Sequence, residues 1–280
     1  MKGSDSRSWI PLLLAVGAAA ALAYYWLNVR GAAPEPAVTT PVEPVADAED
    51  EPGEPRYPVA PSMPERIVAE ELTPLPALDE SDRYFELEMA DIFGSGIDDM
   101  LVDADLIEKF VATVDNLPRS QVAERIRPVG RVLGPFSADG QDGSGQYTLN
   151  PDNYRRYDFL VNMLATADID ELVDLYQRFY PLFQEVYVDL GYPQGHFSDR
   201  VVEVIDHLLT TPDVDEPVDL VRPHVLYEYA DPRLEALSSG QKVLLRIGGE
   251  HRVRVMQFLE ELRDAIIALS TPARPDADTL

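Results

Sequence analysis

The chain has 280 residues, with 23 basic and 50 acidic side chains, so its net charge is 23 − 50 = −27. A charge this negative argues against nucleic acid as a partner, because such binding depends on Lys and Arg contacts to phosphates. The absence of cysteine excludes disulfides, Cys-ligated zinc and thiol catalysis. The length allows one domain or two small ones.

An uncharged apolar run, residues 9–29, lies close to the N-terminus. As a helix rising ~1.5 Å per residue it would be ~32 Å long, which matches the thickness of a bilayer core. Trp9 at one end and Trp26 near the other supply aromatic rings for the two membrane interfaces. The run therefore predicts a transmembrane helix after a short N-terminus, residues 1–8, and makes the lipid bilayer one expected partner.

The orientation of this helix follows from the basic residues around it. Lys2 and Arg7 precede the run, whereas Arg30 follows it. The positive-inside rule then places residues 1–8 in the cytoplasm and the rest of the chain on the opposite side of the membrane. Two alternatives stay open: cleavage of the run as a secretory signal, and the reverse orientation.

Residues 30–80 are rich in proline and in acidic side chains. From 31 to 80 there are eleven of the 24 prolines, with twelve acidic residues and two basic ones, a net of 2 − 12 = −10. Repeated X-Pro steps block helices and sheets and favour polyproline II, and like charges repel one another. We predict a disordered linker over 30–80 that acts as a spacer, with a ligand for a proline-binding module as the alternative.

Apolar residues recur at helical spacing over 81–270. This range carries 17 basic and 35 acidic side chains, a net of 17 − 35 = −18. The pattern predicts a mainly helical domain of the α+β class, followed by a flexible tail over 271–280. Capping residues predict where the helices begin: Ser81, Asp103, Asn150, Asp168 and Ser198.

The last part of the domain predicts a pair of helices separated at Gly248 and Gly249. Helical periodicity defines the expected core face of the final helix: Val253, Met256, Leu259, Leu262 and Ile266. Arg252 and Arg254 are expected on its solvated face.

Two segments favour β structure. The range 129–150 is rich in Gly, Asp and Ser between short apolar flanks, which predicts a hairpin. The range 218–230 is rich in Val and Tyr and predicts a second β segment that could join the hairpin. The expected fold is therefore a helical domain with a small β-hairpin or sheet element.

The sequence contains no recognisable motif for catalysis or metal binding. The four histidines lie 11, 17 and 27 residues apart, so none forms the i, i+4 pair of a helical zinc site. The range 139–145 lacks the spacing of a calcium loop and predicts a turn. The chain has no GxSxG, GxGxxG or P-loop motif. We expect neither a cofactor nor a metal ion.

A row of aromatic residues is one candidate for a ligand or partner surface. Tyr176, Tyr180, Phe183 and Tyr187 recur along one face of the helix that begins at Asp168. Such a row either packs in the core or lines a groove, with its phenol hydroxyls at the rim.

Three arginines and one histidine complete the candidate surface. Arg155, Arg156 and Arg178 are rare cations in an acidic domain, and each either pairs with neighbouring carboxylates or contributes to an anion site. His196 lies in a loop that contains Gly and Pro, where its ring could be exposed.

Several stretches resemble the bacterial domain-of-unknown-function 3014 family: LPALDESDRYF, FVATVDNLPR, NYRRYDFLV, LYQRFYPLFQEVYVDLGYP, YADPRLEALS and GQKVLLRIG. The resemblance covers about residues 75–265. It implies a single-span envelope protein of Gram-negative bacteria with an acidic, Pro-rich linker. It implies no activity and no catalytic residue. The expected location is the inner membrane, with the N-terminus cytoplasmic and the folded domain periplasmic.

These features favour a non-catalytic interaction or scaffold domain that a tether presents to a protein partner in the envelope. An acidic domain would prefer a basic patch on that partner. Two alternatives are a periplasmic hydrolase that uses a pair of carboxylates beside the aromatic row, and a small-ligand or glycan-binding domain with an arginine in its pocket. The identity of the partner and the oligomeric state stay open.

Overall fold

A computed structural model describes the parts of the chain that carry the fold: residues 54–59, 75–130, 134–140 and 145–270. Within these ranges no helix combines the length and the apolar character needed to cross a membrane. The predicted N-terminus 1–8, the predicted transmembrane helix 9–29 and the predicted tail 271–280 lie outside the described residues.

Helices make up most of the described fold. In chain order they are α1 Asp82–Phe93, α2 Leu106–Asn116, α3 Asp152–Arg155, α4 Asp158–Thr166, α5 Ile169–Asp189, α6 Phe197–Leu209, α7 Pro232–Glu235, α8 Ser239–Arg246 and α9 Gly249–Leu269. Short 3₁₀ turns lie at Leu78–Glu80, Ser95–Ile97 and Glu124–Ile126. The described part of the chain is therefore mainly helical.

Local capping explains the start of α5. The carboxylate of Asp168 accepts hydrogen bonds from the backbone N–H groups of Asp170 and Glu171 at 2.9 and 3.3 Å. These two hydrogen bonds satisfy N–H groups that have no partner inside the helix. Gly191, with a left-handed φ of 104°, follows the end of the helix, a position at which glycine is favoured.

Other helix starts depend on residues far away in the sequence. Helix α2 begins at Leu106 rather than at the predicted Asp103. The carboxylate of Asp82, on α1, accepts from the backbone N–H groups of Asp105 and Leu106 at 2.7 and 2.8 Å. Ser81 does not cap α1, because its hydroxyl donates to the carbonyl of Leu78 at 2.6 Å.

Four short strands form an antiparallel sheet in the order β1-β2-β3-β4. They are β1 Ala138–Asp139, β2 Gln146–Leu149, β3 Asp219–Val221 and β4 Glu228–Tyr229. Tyr147 of β2 lies opposite Leu220 of β3, which in turn lies opposite Tyr229 of β4. The predicted hairpin and the predicted second β segment therefore belong to one sheet, which confirms the α+β class.

The main core lies among α1, α2, α5, α6 and α9. Its largest side chains are phenylalanines, of which Phe85, Phe179, Phe183 and Phe197 are at most 3 % exposed. Phe85 and Phe179 meet edge-on with centroids 5.2 Å apart, Phe183 and Phe197 are tilted at 5.8 Å, and Phe179 and Phe183 are stacked at 6.4 Å. These are favourable arrangements for aromatic pairs.

A second, smaller cluster holds the sheet against α8. Its buried members are Tyr147, Leu149, Val218, Leu220, Tyr229 and Leu245. Because the strands contribute only two to four residues each, this cluster covers a small area of the sheet.

The folded part begins before residue 81. The backbone N–H groups of Arg56 and Tyr57 donate to the carboxylate of Asp199 on α6 at 3.1 and 2.9 Å. Tyr57 and Val59 also pack against the main core, as does Leu78 in the turn before α1. Two pieces of the range predicted to be linker are therefore part of the folded domain.

The core face of α9 differs from its prediction. Val253, expected in the core, is 53 % exposed, whereas Arg252, expected in solvent, is 3 % exposed. The guanidinium of Arg252 is paired with the carboxylate of Asp213, which precedes β3. An ion pair allows an arginine to be buried at a position that apolar periodicity assigns to solvent.

Candidate binding groove on the sheet

A groove of about 510 Å³ lies where the sheet meets the connection between α3 and α4 and the last residue of α8. The residues that line it are Phe136, Leu149, Arg156, Tyr157, Leu220, Val225, Leu226, Tyr227, Glu228, Tyr229 and Arg246. We call it the sheet groove. Leu149, Leu220 and Tyr229 are buried, so they form its base.

The turn between β3 and β4 exposes apolar side chains beside the sheet groove. Val225 and Leu226 are 78 % and 76 % exposed, more than any other large apolar side chain in the described ranges. Phe136, on the lining, is 40 % exposed. Adjacent apolar side chains in solvent are typical of an interaction surface.

The aromatic rings of the sheet groove hold one another in place. The ring of Tyr227 meets Tyr147 edge-on at a centroid distance of 5.1 Å and meets Phe136 at 5.4 Å. The guanidinium of Arg222 lies 5.3 Å from the Tyr227 centroid, within the range of a cation–π interaction. These contacts restrict the rings before any ligand arrives, which lowers the entropic cost of binding.

The sheet groove is basic although the domain is acidic. Arg156 and Arg246 line it, and Arg222 stands at its rim over Tyr227. Its lining contains one carboxylate, that of Glu228, whereas the range 81–270 has a net charge of −18. Three guanidinium groups around one apolar groove form a local site for negative charge.

Side chains bind some backbone groups on β4 and in the segment before β1. The N–H of Tyr229 on β4 donates to the carboxylate of Glu235 at 2.9 Å. Next to β1, the amide of Asn153 accepts from the N–H of Ser137 at 3.0 Å and donates to the Ser137 carbonyl. A ligand therefore does not meet the Tyr229 N–H as a free group with which to pair as an added strand.

Burial and hydrogen bonds set the ionisation of two groups near the base. Burial raises the pKa of Tyr229 to about 12, so its hydroxyl stays neutral and donates to the carbonyl of Lys242 at 3.2 Å. Burial also raises the pKa of Glu235, but hydrogen bonds from Lys242 and from the Tyr229 N–H outweigh this effect and hold the pKa below its usual value. Burial thus keeps the hydroxyl of Tyr229 neutral although Arg246, which lowers its pKa, lies close by.

The predicted aromatic row belongs to the main core rather than to the sheet groove. Tyr176, Phe183 and Tyr187 are 6 %, 1 % and 6 % exposed. Tyr180 is half-buried, and its hydroxyl is 3.2 Å from Gln184 Oε1 and 3.3 Å from Ser198 Oγ. Of the two uses that the sequence left open for this row, the contacts of these rings correspond to core packing.

The three predicted arginines are in separate places. Arg178 pairs with Glu88 across α5 and α1, and Arg155 pairs with Asp152 within α3. Arg156 lines the sheet groove, with its guanidinium 5.9 Å from the ring centroid of Tyr157.

His196 occupies the residue before α6 and is not part of the groove lining. Of the eight predicted surface residues, Arg156 alone is among the residues that line the sheet groove.

One pair of side chains resembles a catalytic nucleophile and its base. His207 Nε2 lies 2.9 Å from the hydroxyl of Ser238. However, Ser238 is buried and caps α8, where its hydroxyl accepts from the N–H of Gln241 and the Gln241 side chain accepts from the Ser238 N–H. This reciprocal capping box gives the pair a structural role.

The N–H groups at the start of α8 have backbone partners. Those of Ser239 and Gly240 donate to the carbonyls of Arg119 and Leu117 at 2.7 and 3.0 Å. They are therefore not directed at a position where an oxyanion could form beside Ser238. In the described ranges no three His, Asp or Glu side chains converge as a metal site.

Most of the sheet groove was missed by sequence reasoning. Phe136, Tyr157, Tyr227 and Arg246 come from separate segments, and nothing local in the sequence indicates that they meet. The adjacent apolar pair at 225 and 226, within a segment that we assigned wholly to β structure, was the available signal. Turns favour polar residues, so two adjacent apolar residues in a turn indicate a surface that a binding partner covers.

Fold and groove together define a mainly helical α+β domain with a basic, aromatic surface groove. The model for a family of proteins of unknown function, DUF3014, matches residues 106–263, more than half of the chain. The chain belongs to this family, which confirms the resemblance, and every residue that lines the sheet groove lies within the match. Neither a curated protein nor a solved structure matches the chain.

Proposed function

We propose that the chain is an anchored protein of the bacterial inner membrane whose periplasmic domain binds a protein partner through the sheet groove. The groove itself is the observation that supports binding: Val225 and Leu226 are exposed beside Arg156 and Arg246. Tyr and Arg side chains around an apolar centre are the residues that most often contribute binding energy at protein interfaces. The anchor rests on the apolar run 9–29.

The lining favours binding over chemistry. Its polar side chains are arginines, tyrosines and Glu228, whereas carboxylate-dependent hydrolysis needs two carboxyl groups within about 5 to 10 Å of each other. The hydrolase alternative also placed its substrate beside the aromatic row, whose rings at Tyr176, Phe183 and Tyr187 are buried. The residues that line the groove therefore suit binding better than hydrolysis.

The choice between a protein and a small ligand rests on the turn. Arg156 in the lining meets a condition of the small-ligand alternative. Val225 and Leu226 also line the groove, but they are so exposed that their apolar surface continues past it. A protein partner would cover more of these two side chains than a small ligand would.

In-cell photocrosslinking tests the binding proposal. A photoreactive p-benzoylphenylalanine at position 226 of the full chain should give a crosslinked protein adduct on irradiation. The same residue at position 253 is the matched control, because Val253 is also an exposed apolar residue but lies on α9 outside the groove. Absence of an adduct from position 226, or equal adducts from both positions, would count against the proposal.

Protease accessibility in spheroplasts tests the location. External protease should degrade the folded domain while a short N-terminal fragment stays in the membrane fraction. Protection of the domain from protease would place it in the cytoplasm and contradict the periplasmic part of the proposal. Loss of the whole chain from the membrane fraction would contradict the anchor.

A further inference from the structure

We infer that the sheet groove recognises an extended, acidic, proline-containing segment of a partner protein. This inference rests on the proposed binding function and adds the chemistry of the ligand. Three features of the groove support it: its charge, its ring faces and the occupied N–H group on the β4 edge.

Charge defines which ligand the groove attracts. Arg156, Arg222 and Arg246 surround it, and a guanidinium donates two parallel hydrogen bonds to a carboxylate. Glu228 is the carboxylate in the lining, and Glu235 acts on Arg246 but is paired with Lys242. An acidic segment is repelled by the rest of the domain, with its net charge of −18 over 81–270, so the groove is where it is stabilised.

The ring faces define the backbone form of the ligand. Phe136, Tyr157 and Tyr227 border the groove and are only partly buried. Grooves lined by aromatic rings are the surfaces on which proline-rich segments dock, because a polyproline II helix is already extended and loses little entropy on binding. Val225 and Leu226 supply apolar surface for the proline rings to cover.

The β4 edge disfavours the main competing mode of peptide binding. A peptide that adds as a strand needs free backbone groups on an edge strand. On β4 the N–H of Tyr229 is already bound by the carboxylate of Glu235. A polyproline II segment does not need these groups, because it binds through its side chains and leaves its backbone solvated.

Synthetic peptides on the full chain in detergent test the inference. The probe is a fluorescently labelled peptide of six Pro-Glu repeats, and fluorescence anisotropy measures its affinity. Six Pro-Lys repeats reverse the charge, and six Gly-Glu repeats keep the charge but lose the polyproline II preference. We expect the Pro-Glu peptide to bind more tightly than either control, and to bind less tightly as salt rises.

Substitutions that reverse the charge of the groove arginines test whether these arginines bind the peptide. The double variant Arg156→Glu with Arg246→Glu should weaken Pro-Glu binding by about tenfold or more, since repulsion replaces attraction. The matched control, Arg83→Glu with Arg125→Glu, makes the same change of net charge at exposed arginines outside the groove. The groove variant should also gain affinity for the Pro-Lys peptide, a result that a misfolded protein would not give.

Each outcome bears on the inference. Equal binding of Pro-Glu and Pro-Lys peptides, or an equal loss in the two double variants, would overturn it. Crosslinking at position 226 without peptide binding would overturn the ligand chemistry and leave the proposed function standing, whereas failure of both would remove both. Residues 34–53 contain five prolines and six acidic residues but no basic one. If deleting them tightens peptide binding, the chain's own segment is the occupant and the assignment to a partner is wrong.

Discussion

The main core and the sheet groove both consist largely of aromatic and aliphatic side chains, but they differ in how completely those side chains are covered. Phe183 in the core is 1 % exposed and has five aromatic rings within 6.4 Å of its own, centroid to centroid. Phe136 at the groove is 40 % exposed, and its ring packs against that of Tyr227. Phenylalanine is therefore enclosed on all sides in the main core and partly exposed at the sheet groove.

The lengths of the elements explain this difference. The core is bounded by helices of 11 to 21 residues, each of which contributes a continuous apolar face. The sheet has strands of two to four residues, and β4 is only Glu228–Tyr229. Strands this short cannot cover the rings that surround them, so apolar surface is left for a ligand.

The largest expected effect is the loss of a core ring. Phe183→Ala should lower the free energy of unfolding by about 3–5 kcal/mol, because it removes the contacts of a fully buried ring and leaves a cavity. Leu226→Ala, in the groove turn, should change it by no more than about 0.5 kcal/mol, because that side chain is 76 % exposed. Urea unfolding followed by circular dichroism measures both.

The two substitutions should have the reverse order of effects on binding. Leu226→Ala should weaken the complex with the partner or the Pro-Glu peptide, because it removes apolar surface that binding covers. A large loss of stability from Leu226→Ala would show that the turn packs against the fold, and the contrast between a filled core and an open groove would then be wrong.

A buried carboxylate in the core and a more exposed one beside the groove allow the two regions to be compared through smaller changes in stability. Asp115 on α2, with its side chain 4 % exposed, accepts from Arg200 Nε at 3.0 Å and from Arg119 Nη2 at 2.9 Å. Asp115→Ala should cost about 2–4 kcal/mol, because it leaves the partly buried Arg200 with Glu203, a 69 % exposed carboxylate, as its remaining ion-pair partner among the described residues. Glu235→Gln beside the groove should cost less than about 1 kcal/mol, since the Glu235 side chain is 35 % exposed.

A double variant checks that Asp115 acts through this ion pair. If so, the cost of Asp115→Ala should become smaller in an Arg200→Met background, where the cation is absent. An unchanged cost in that background would assign the effect of Asp115 to its other contacts, which include the hydroxyl of Tyr192 at 3.4 Å.

Much of the fold could be predicted because its signals are local. Asp168 caps the helix that it precedes, and Gly248, with a left-handed φ of 89°, separates α8 from α9. The two β segments were recognisable from their composition, and their pairing brings together ranges that the helices α3 to α6 separate in sequence. The caps and the β segments themselves are set by residues that are neighbours in the chain, whereas the pairing of the two β segments is not.

The remainder depends on contacts between distant residues. Arg252 is buried because Asp213, 39 residues earlier, pairs with it, and the start of α2 depends on Asp82, 23 residues before Asp105. The sheet groove needs side chains from residue 136 to residue 246. Only Arg156 of this lining was predicted, because it was noticed as an unusual cation and not as part of a constellation.

Two tyrosines provide the smallest and most specific test of the comparison. The hydroxyl of Tyr176 in the core is buried with no hydrogen-bond partner among the described residues, whereas that of Tyr229 under the groove donates to the carbonyl of Lys242. Tyr176→Phe should therefore leave stability unchanged or raise it by up to about 1 kcal/mol, and Tyr229→Phe should lower it by about 1 kcal/mol. Urea unfolding at neutral pH measures both changes.

The pH dependence of the free energy of unfolding tests whether the Tyr229 hydroxyl is protected from ionisation. Burial raises the pKa of Tyr229 to about 12, whereas an unfolded tyrosine ionises near pH 10. Because the folded pKa is the higher one, the contribution of Tyr229 to stability is complete below about pH 10 and is lost as the pH rises toward 12. At pH 11 the loss is about 1 kcal/mol, and Tyr229→Phe should remove it from the profile. Tyr84→Phe, at a tyrosine that is 41 % exposed, is the control, and an equal change there would show that Tyr229 is not specially protected.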